Sequence, residues 1–132
     1  MNDSIFTQII KGEIPCHKVH EDDKTLAFMD IHPIQPGHVL VVPKSQVDFI
    51  WNLTSDDYHA LMETVRRVGI RLQEVFPQAT RVGVMVEGLD VHDHAHVKVF
   101  PFSDESEYRN KPDMSEDPDH TALAEIAAKL AF

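Results

Sequence analysis

The sequence predicts an α+β domain in which an antiparallel sheet of about five strands carries helices packed on one side. Three observations lead there. Short apolar runs alternate with Pro and Gly breakers up to Pro43, and one long run between Thr54 and Pro77 repeats apolar residues every three or four positions. Two further apolar runs, 80–87 and 91–101, flank a Gly-containing loop. Strands joined by short loops are antiparallel neighbours, and helices gather as a layer over such a sheet.

Taken in order, Asp3 or Ser4 can cap a short helix that buries Ile5, Phe6, Ile9 and Ile10. Gly12 stops it and Pro15 prevents its return. Strands are expected near 16–21, 24–30 and 38–43; the last holds Val39-Leu40-Val41-Val42 between Pro36-Gly37 and Pro43. Thr54 with Asp57 forms a capping pair for the long helix, whose stripe of Tyr58, Leu61, Val65, Val68, Leu72 and Val75 is core packing. A strand from Thr80 to Glu87 should place Val82, Val84 and Val86 on one face, and Gly88-Leu89-Asp90 should turn it into the next. Between Thr121 and Leu130, the spacing of Leu123, Ile126, Ala127 and Leu130 predicts a last short helix.

At 132 residues and 42% hydrophobic content, one domain with its own core is expected. A net charge of −10 argues against a nucleic-acid surface, which needs clustered Lys and Arg. A small anionic ligand is compatible with that charge if imidazoles, a lysine and backbone N–H groups meet it locally. Much of the acidity lies from Asp104 to Asp119, expected as a solvated loop away from any pocket. The single cysteine excludes an internal disulfide framework. With no apolar run long enough to span a bilayer and no basic start before an apolar one, a soluble cytoplasmic protein without membrane contact is expected.

The most informative stretch is Val91-His92-Asp93-His94-Ala95-His96-Val97-Lys98-Val99-Phe100-Pro101. As a strand it puts His92, His94, His96 and Lys98 on one face, with Val91, Ala95, Val97 and Val99 opposite, interrupted by Asp93. Three imidazoles and an ammonium in one row are poor core material. Three histidines can also hold zinc with an open position. The lone Cys16 and the lack of His-x-x-x-His or Cys-x-x-Cys pairs weigh against a metal.

This stretch resembles the signature of the histidine triad (HIT) nucleotide-binding family, His-φ-His-φ-His-φ-φ with φ apolar, often followed by Pro. Two registers fit. From His94 the φ positions are Ala95, Val97, Val99 and Phe100, Pro101 follows, and Lys98 takes the third histidine's place. In the alternative register His92, His94 and His96 form the triad, but two φ positions, Asp93 and Lys98, are charged. The first register is preferred. The resemblance extends through Ser4–Pro15, Glu21–Ile31 and Pro33–Lys44, about the first hundred residues.

The resemblance implies a 1–103 nucleotide-binding domain with a 104–132 acidic loop and C-terminal helix packed on it, a homodimer, and no cofactor. Zinc-carrying members have a Cys-x-x-Cys where this chain has Ser4 and Thr7, so no metal is expected. It implies chemistry at the α-phosphate of a purine nucleotide conjugate, through a nucleotidyl intermediate on His96. His94 and His38 would hold the arrangement by hydrogen bonds, and Lys98 would clamp a phosphate oxygen. It places Phe6, Ile9, Ile14, Phe28 and Ile31 around the base and Asp30 on the ribose. Where many relatives have a ribose- or phosphate-contacting Asn this chain has Val86, and their Gly-Gln-type loop is replaced by Leu89-Asp90-Val91-His92. A nucleotide-binding module with little turnover is the alternative function, and a His-based metal-binding protein a third.

Overall fold

The computed structural model describes residues 2–132. Helix α1 (Ile5–Ile10) leads into strands β1 (Lys18–Glu21), β2 (Thr25–Met29) and β3 (Val39–Pro43), and a 3-10 turn at Ile50–Asn52 precedes helix α2 (Ser55–Val75). Strands β4 (Arg81–Met85) and β5 (Val97–Phe102) follow, then a one-turn helix α3 (Glu105–Tyr108) and helix α4 (His120–Leu130). The five strands form one sheet in the order β1-β2-β3-β5-β4, antiparallel throughout. The α+β prediction holds.

Local chemistry explains the helix bounds. Ser4 Oγ accepts the Thr7 N–H at the start of α1, and Gly12 leaves it at φ +81°. Thr54 Oγ1 accepts the Asp57 N–H at the start of α2, and Asp119 caps α4 by accepting from Ala122. Leu61, Val65, Val68 and Leu72 of α2 are buried as the spacing predicts, with Tyr58 and Val75 packed at the edge of the core.

The period-two alternation of β2 and β3 sorts the interior into two layers. Ala27, Met29, Val39 and Val41 face α2 and α4; Leu26, Phe28, Leu40 and Val42 face Phe6 of α1. The two long helices therefore cover one face, while the short α1 lies on the other. On β5, Val97 and Val99 join the first layer, which turns Lys98 toward the α1 side.

Four local expectations change. Ile5 is 48% exposed, because α1 buries Phe6 alone. Val84 and Val86 are also half exposed: β4 is an edge strand and only Val82 packs on the core. The β4–β5 connection is no tight hairpin, since pairing stops at Met85 opposite Lys98 and the chain makes a wide loop between them. The histidine row is not one continuous strand. Residues 91–96 bend before β5 begins at Val97, and the Ala95 N–H is taken by the Val47 carbonyl at 2.7 Å rather than by a strand ladder.

Candidate active site

A cleft of about 680 Å³ opens on the α1 side of the sheet. Its walls bring together Phe6, Ile9, Ile14, Phe28, Asp30 and Ile31, six residues scattered over the first quarter of the chain. His38, His96 and Lys98 line it as well. Apolar walls with a few convergent polar groups are the usual make-up of a small-molecule site. His94 lies behind the wall, fully buried. His92 is exposed on the bend and shares no row with His94 and His96, because the alternation that would align them requires a strand that is absent there.

Of the three buried imidazoles, His94 and His96 have tautomers set by backbone carbonyls. His94 Nε2 lies 2.8 Å from the Pro43 carbonyl, which can only accept, so the proton is on Nε2 and Nδ1 must accept. It accepts from Ser4 Oγ at 2.6 Å, while Ser4 Oγ receives the Thr7 N–H and Thr7 Oγ1 donates to Gln46 Oε1 at 2.7 Å. Gln46 Oε1 also takes the Ser4 N–H, and its amide nitrogen donates to the Asn2 carbonyl. Burial, partly offset by the Pro43 hydrogen bond, holds the His94 pKa below its ordinary value. His96 Nδ1 donates to the His94 carbonyl at 2.9 Å, which leaves the lone pair on Nε2. Phe6 meets both rings edge-on, with centroids 5.7 and 5.1 Å away.

From the sequence, Ser4 stands out as a helix cap and, with Thr7, as a replaced cysteine. Their contribution to a network with Gln46 becomes visible once α1, the segment after β3 and the bend before β5 meet. Among the described residues, no group of three or more His, Cys, Asp or Glu is placed to hold a metal ion.

Lys98 is 7% exposed and its ammonium sits 3.2 Å from Glu87 and 3.8 Å from Asp90, both in the wide β4–β5 loop. Burial works to raise the Glu87 carboxyl, but the Leu89 N–H and Lys98 outweigh it and hold it below the usual carboxylate range. Glu87 was not singled out from the sequence, and no motif there would have found it.

The other end of the cleft differs from expectation. Gly37, at φ +94°, lets the chain turn where a Cβ would meet the Phe76 ring at 2.8 Å, and it delivers His38 to the start of β3. His38 does not brace His94 or His96 by a hydrogen bond, the role expected of it from the resemblance. Its Nδ1 accepts the Ile34 N–H at 3.0 Å, and its Nε2 faces Asp30 Oδ2 at 3.6 Å. Burial first, then the electrostatic influence of Lys98 and of the His96 ring, push its pKa down to about 3. Burial also raises the Asp30 carboxyl, against the opposing pull of the His32 N–H and Lys98. Asp30 Oδ1 accepts that N–H at 2.8 Å.

The acidic segment also departs from expectation, since Tyr108, Asn110, Pro112 and Met114 form a strap along the cleft. Tyr108 Oη donates to the Val84 carbonyl, Asn110 Nδ2 to Ile34 O and Gln35 Nε2 to Glu107 O. Asp113, Glu116, Asp117 and Asp119 line a separate groove beyond the strap, so the charge itself stays out of the main cleft.

Comparison with known proteins agrees with this geometry. The HIT domain family profile matches residues 11–105. The adenosine 5'-monophosphoramidase of Candida albicans is 35% identical over 109 residues, covering 77% of this chain and 72% of that protein. An uncharacterized HIT-like protein of Borreliella burgdorferi is 36% identical over 75 residues, covering 57% of this chain; the match spans about half of that relative, 54%. Among solved structures, a HIT-like protein of Bartonella henselae superposes with a TM-score of 0.83 at 28% identity, covering 98% of this chain and 95% of that one.

Proposed function

The chain belongs to the HIT domain family, and from that premise we propose that it is a nucleotide hydrolase or nucleotidyl transferase acting at the α-phosphate of a purine nucleotide conjugate. The observation that carries this reading is the His96 imidazole. It lines a cleft of nucleoside size, with Nδ1–H tied to the His94 carbonyl and Nε2 left as a nucleophile.

In the proposed reaction the Nε2 lone pair forms an N–P bond as the bond from phosphorus to the leaving group breaks, its electrons departing with that group. Water then attacks phosphorus, the N–P bond breaks with its electrons returning to Nε2, and nucleoside monophosphate leaves as the imidazole is restored; the proton lost by that water balances the one taken up by the leaving group. Lys98 clamps a non-bridging phosphate oxygen. His94 contributes the carbonyl that orients His96. Phe6, Ile9, Ile14, Phe28 and Ile31 hold the base and Asp30 accepts from the ribose hydroxyls. The adenosine 5'-monophosphoramidase relative supports a phosphoramidate among the substrates. A homodimer completes the reading: β4 is a sheet edge with Val84 and Val86 half exposed, suited to pairing with a second copy.

One observation favours the binding-module reading. The charge of Lys98, which the preferred register puts at the third triad position, is already engaged by Glu87 and Asp90. Incubating the protein with an adenosine phosphoramidate and with dinucleoside polyphosphates, with and without chelator, separates the readings. Chelator-resistant release of AMP is expected. AMP binding without product would identify a module, and stoichiometric retained metal would identify the metal-binding protein.

A further inference from the structure

We propose that His38 is a positioning residue for Asp30, and through it sets the preference of the cleft for nucleotides with a 2',3'-diol over those lacking it. This rests on the nucleotide reading above and assigns His38 to the ribose rather than to the phosphate.

Three observations on the cleft lead there. His38 must carry its proton on Nε2, because Nδ1 accepts from the Ile34 backbone. Among the described residues, that Nε2 is the one buried side-chain nitrogen or oxygen without a hydrogen-bond partner. The group it faces is Asp30 Oδ2, at 3.6 Å, just beyond bonding distance. A buried N–H without an acceptor is costly, so a small rotation of the carboxylate that closes this gap is favoured. Asp30 Oδ1 is already held by the His32 N–H, so the remaining freedom of the carboxylate is rotation of Oδ2 toward or away from His38.

The state of the imidazole suits the task. A cationic partner would neutralise Asp30 and weaken it as an acceptor, whereas a neutral N–H fixes its direction and leaves its charge for the diol. Burial and the nearby Lys98 ammonium keep His38 neutral throughout the physiological range. His38 is only 1% exposed, and its Nε2–H is aimed at Asp30 rather than into the open cleft. A ribose hydroxyl that donates to Asp30 would meet an acceptor already aimed at it. A 2',3'-dideoxyribose has no donor to gain from that aim.

The test compares adenosine and 2',3'-dideoxyadenosine 5'-phosphoramidates as substrates, with calorimetric binding of the two 5'-monophosphates in parallel. In His38→Leu, KM for the ribo substrate should rise about tenfold with kcat held, while the dideoxy substrate is unaffected. His38→Gln, which keeps an N–H donor, should recover most of the loss. If the Leu variant does not fold, His38→Asn, too short to reach Asp30, takes its place with the same expectation. An equal fall for both substrates, or a fall in kcat alone, would overturn the assignment. If wild type binds AMP without turnover, the affinity ratio of the two monophosphates carries the test and only the enzymatic reading is lost. Failure of wild type to bind either monophosphate removes both.

Discussion

The two ends of the cleft are built to different degrees of completion. At the His96 end, His94 has both ring nitrogens bonded, and each hydrogen bond from Pro43 through Ser4 to Gln46 can run in one direction only. At the Asp30 end a buried N–H points at a carboxylate it does not reach, and the wall opposite is a strap held by a few polar contacts. The difference teaches where preorganisation is needed. A nucleophile gains from being fixed before the substrate arrives, whereas a subsite that reads hydroxyls can complete its hydrogen bonds with those hydroxyls.

The comparison breaks most directly at the proposed nucleophile. His96→Ala should lower kcat by about four orders of magnitude while the circular dichroism spectrum is retained, whereas Asp30→Ala should act on KM. A comparable loss of kcat from Asp30→Ala would erase the distinction between the two ends.

Lys98→Ala should lower kcat/KM by about 100-fold, since it removes the proposed phosphate clamp and leaves Glu87 and Asp90 facing the substrate. Turnover equal to wild type in steady-state assays would remove Lys98 from the mechanism.

Acid should distinguish the ends through stability. An unfolded histidine titrates near 6.5, whereas His38 in the fold does so at about 3 and His94 also below its ordinary value. Between those pH values the unfolded chain binds more protons. Stability is therefore full above about pH 6.5 and declines as pH falls toward 3, at ~1.4 kcal/mol per pH unit for each such imidazole. Urea titrations should show a shallower decline for His38→Gln; an unchanged slope would contradict the buried, neutral state of that ring.

Ser4→Ala leaves His94 Nδ1 buried without its 2.6 Å donor, because Thr7 Oγ1 lies 3.4 Å away. It should cost ~1–3 kcal/mol of stability and lower kcat severalfold with KM unchanged. A KM effect instead would show that the network serves binding. The smallest expected change is at the strap: Asn110→Ala, which loses its bond to Ile34 O, should raise KM by about fivefold without altering kcat.

What was legible in the sequence follows where local chemistry decides. The caps at Ser4 and Thr54, the stripe of α2 and the apolar runs of β2 and β3 between their breakers are written in neighbouring residues, so the fold class and most element bounds could be read directly. On β5, Lys98 lies on the cleft side and Val97 and Val99 on the core side, the alternation that either register of the motif expects. Less legible was anything fixed by distant contacts. The bend at 91–96 depends on Val47, His38 turns toward Asp30 because Ile34 holds its other nitrogen, and the strap has no periodicity to announce it. Glu87 reads as the end of a strand until the loop brings it beside Lys98.

The central claim is that His96 Nε2 attacks a nucleotide phosphorus. Acid-free trapping of the enzyme with an α-labelled nucleotide substrate, followed by peptide mapping, tests it at the atom concerned. Label on residue 96, absent in His96→Ala and retained in a folded His92→Ala, is the predicted result. Label on His94, or turnover persisting in His96→Ala, would contradict it.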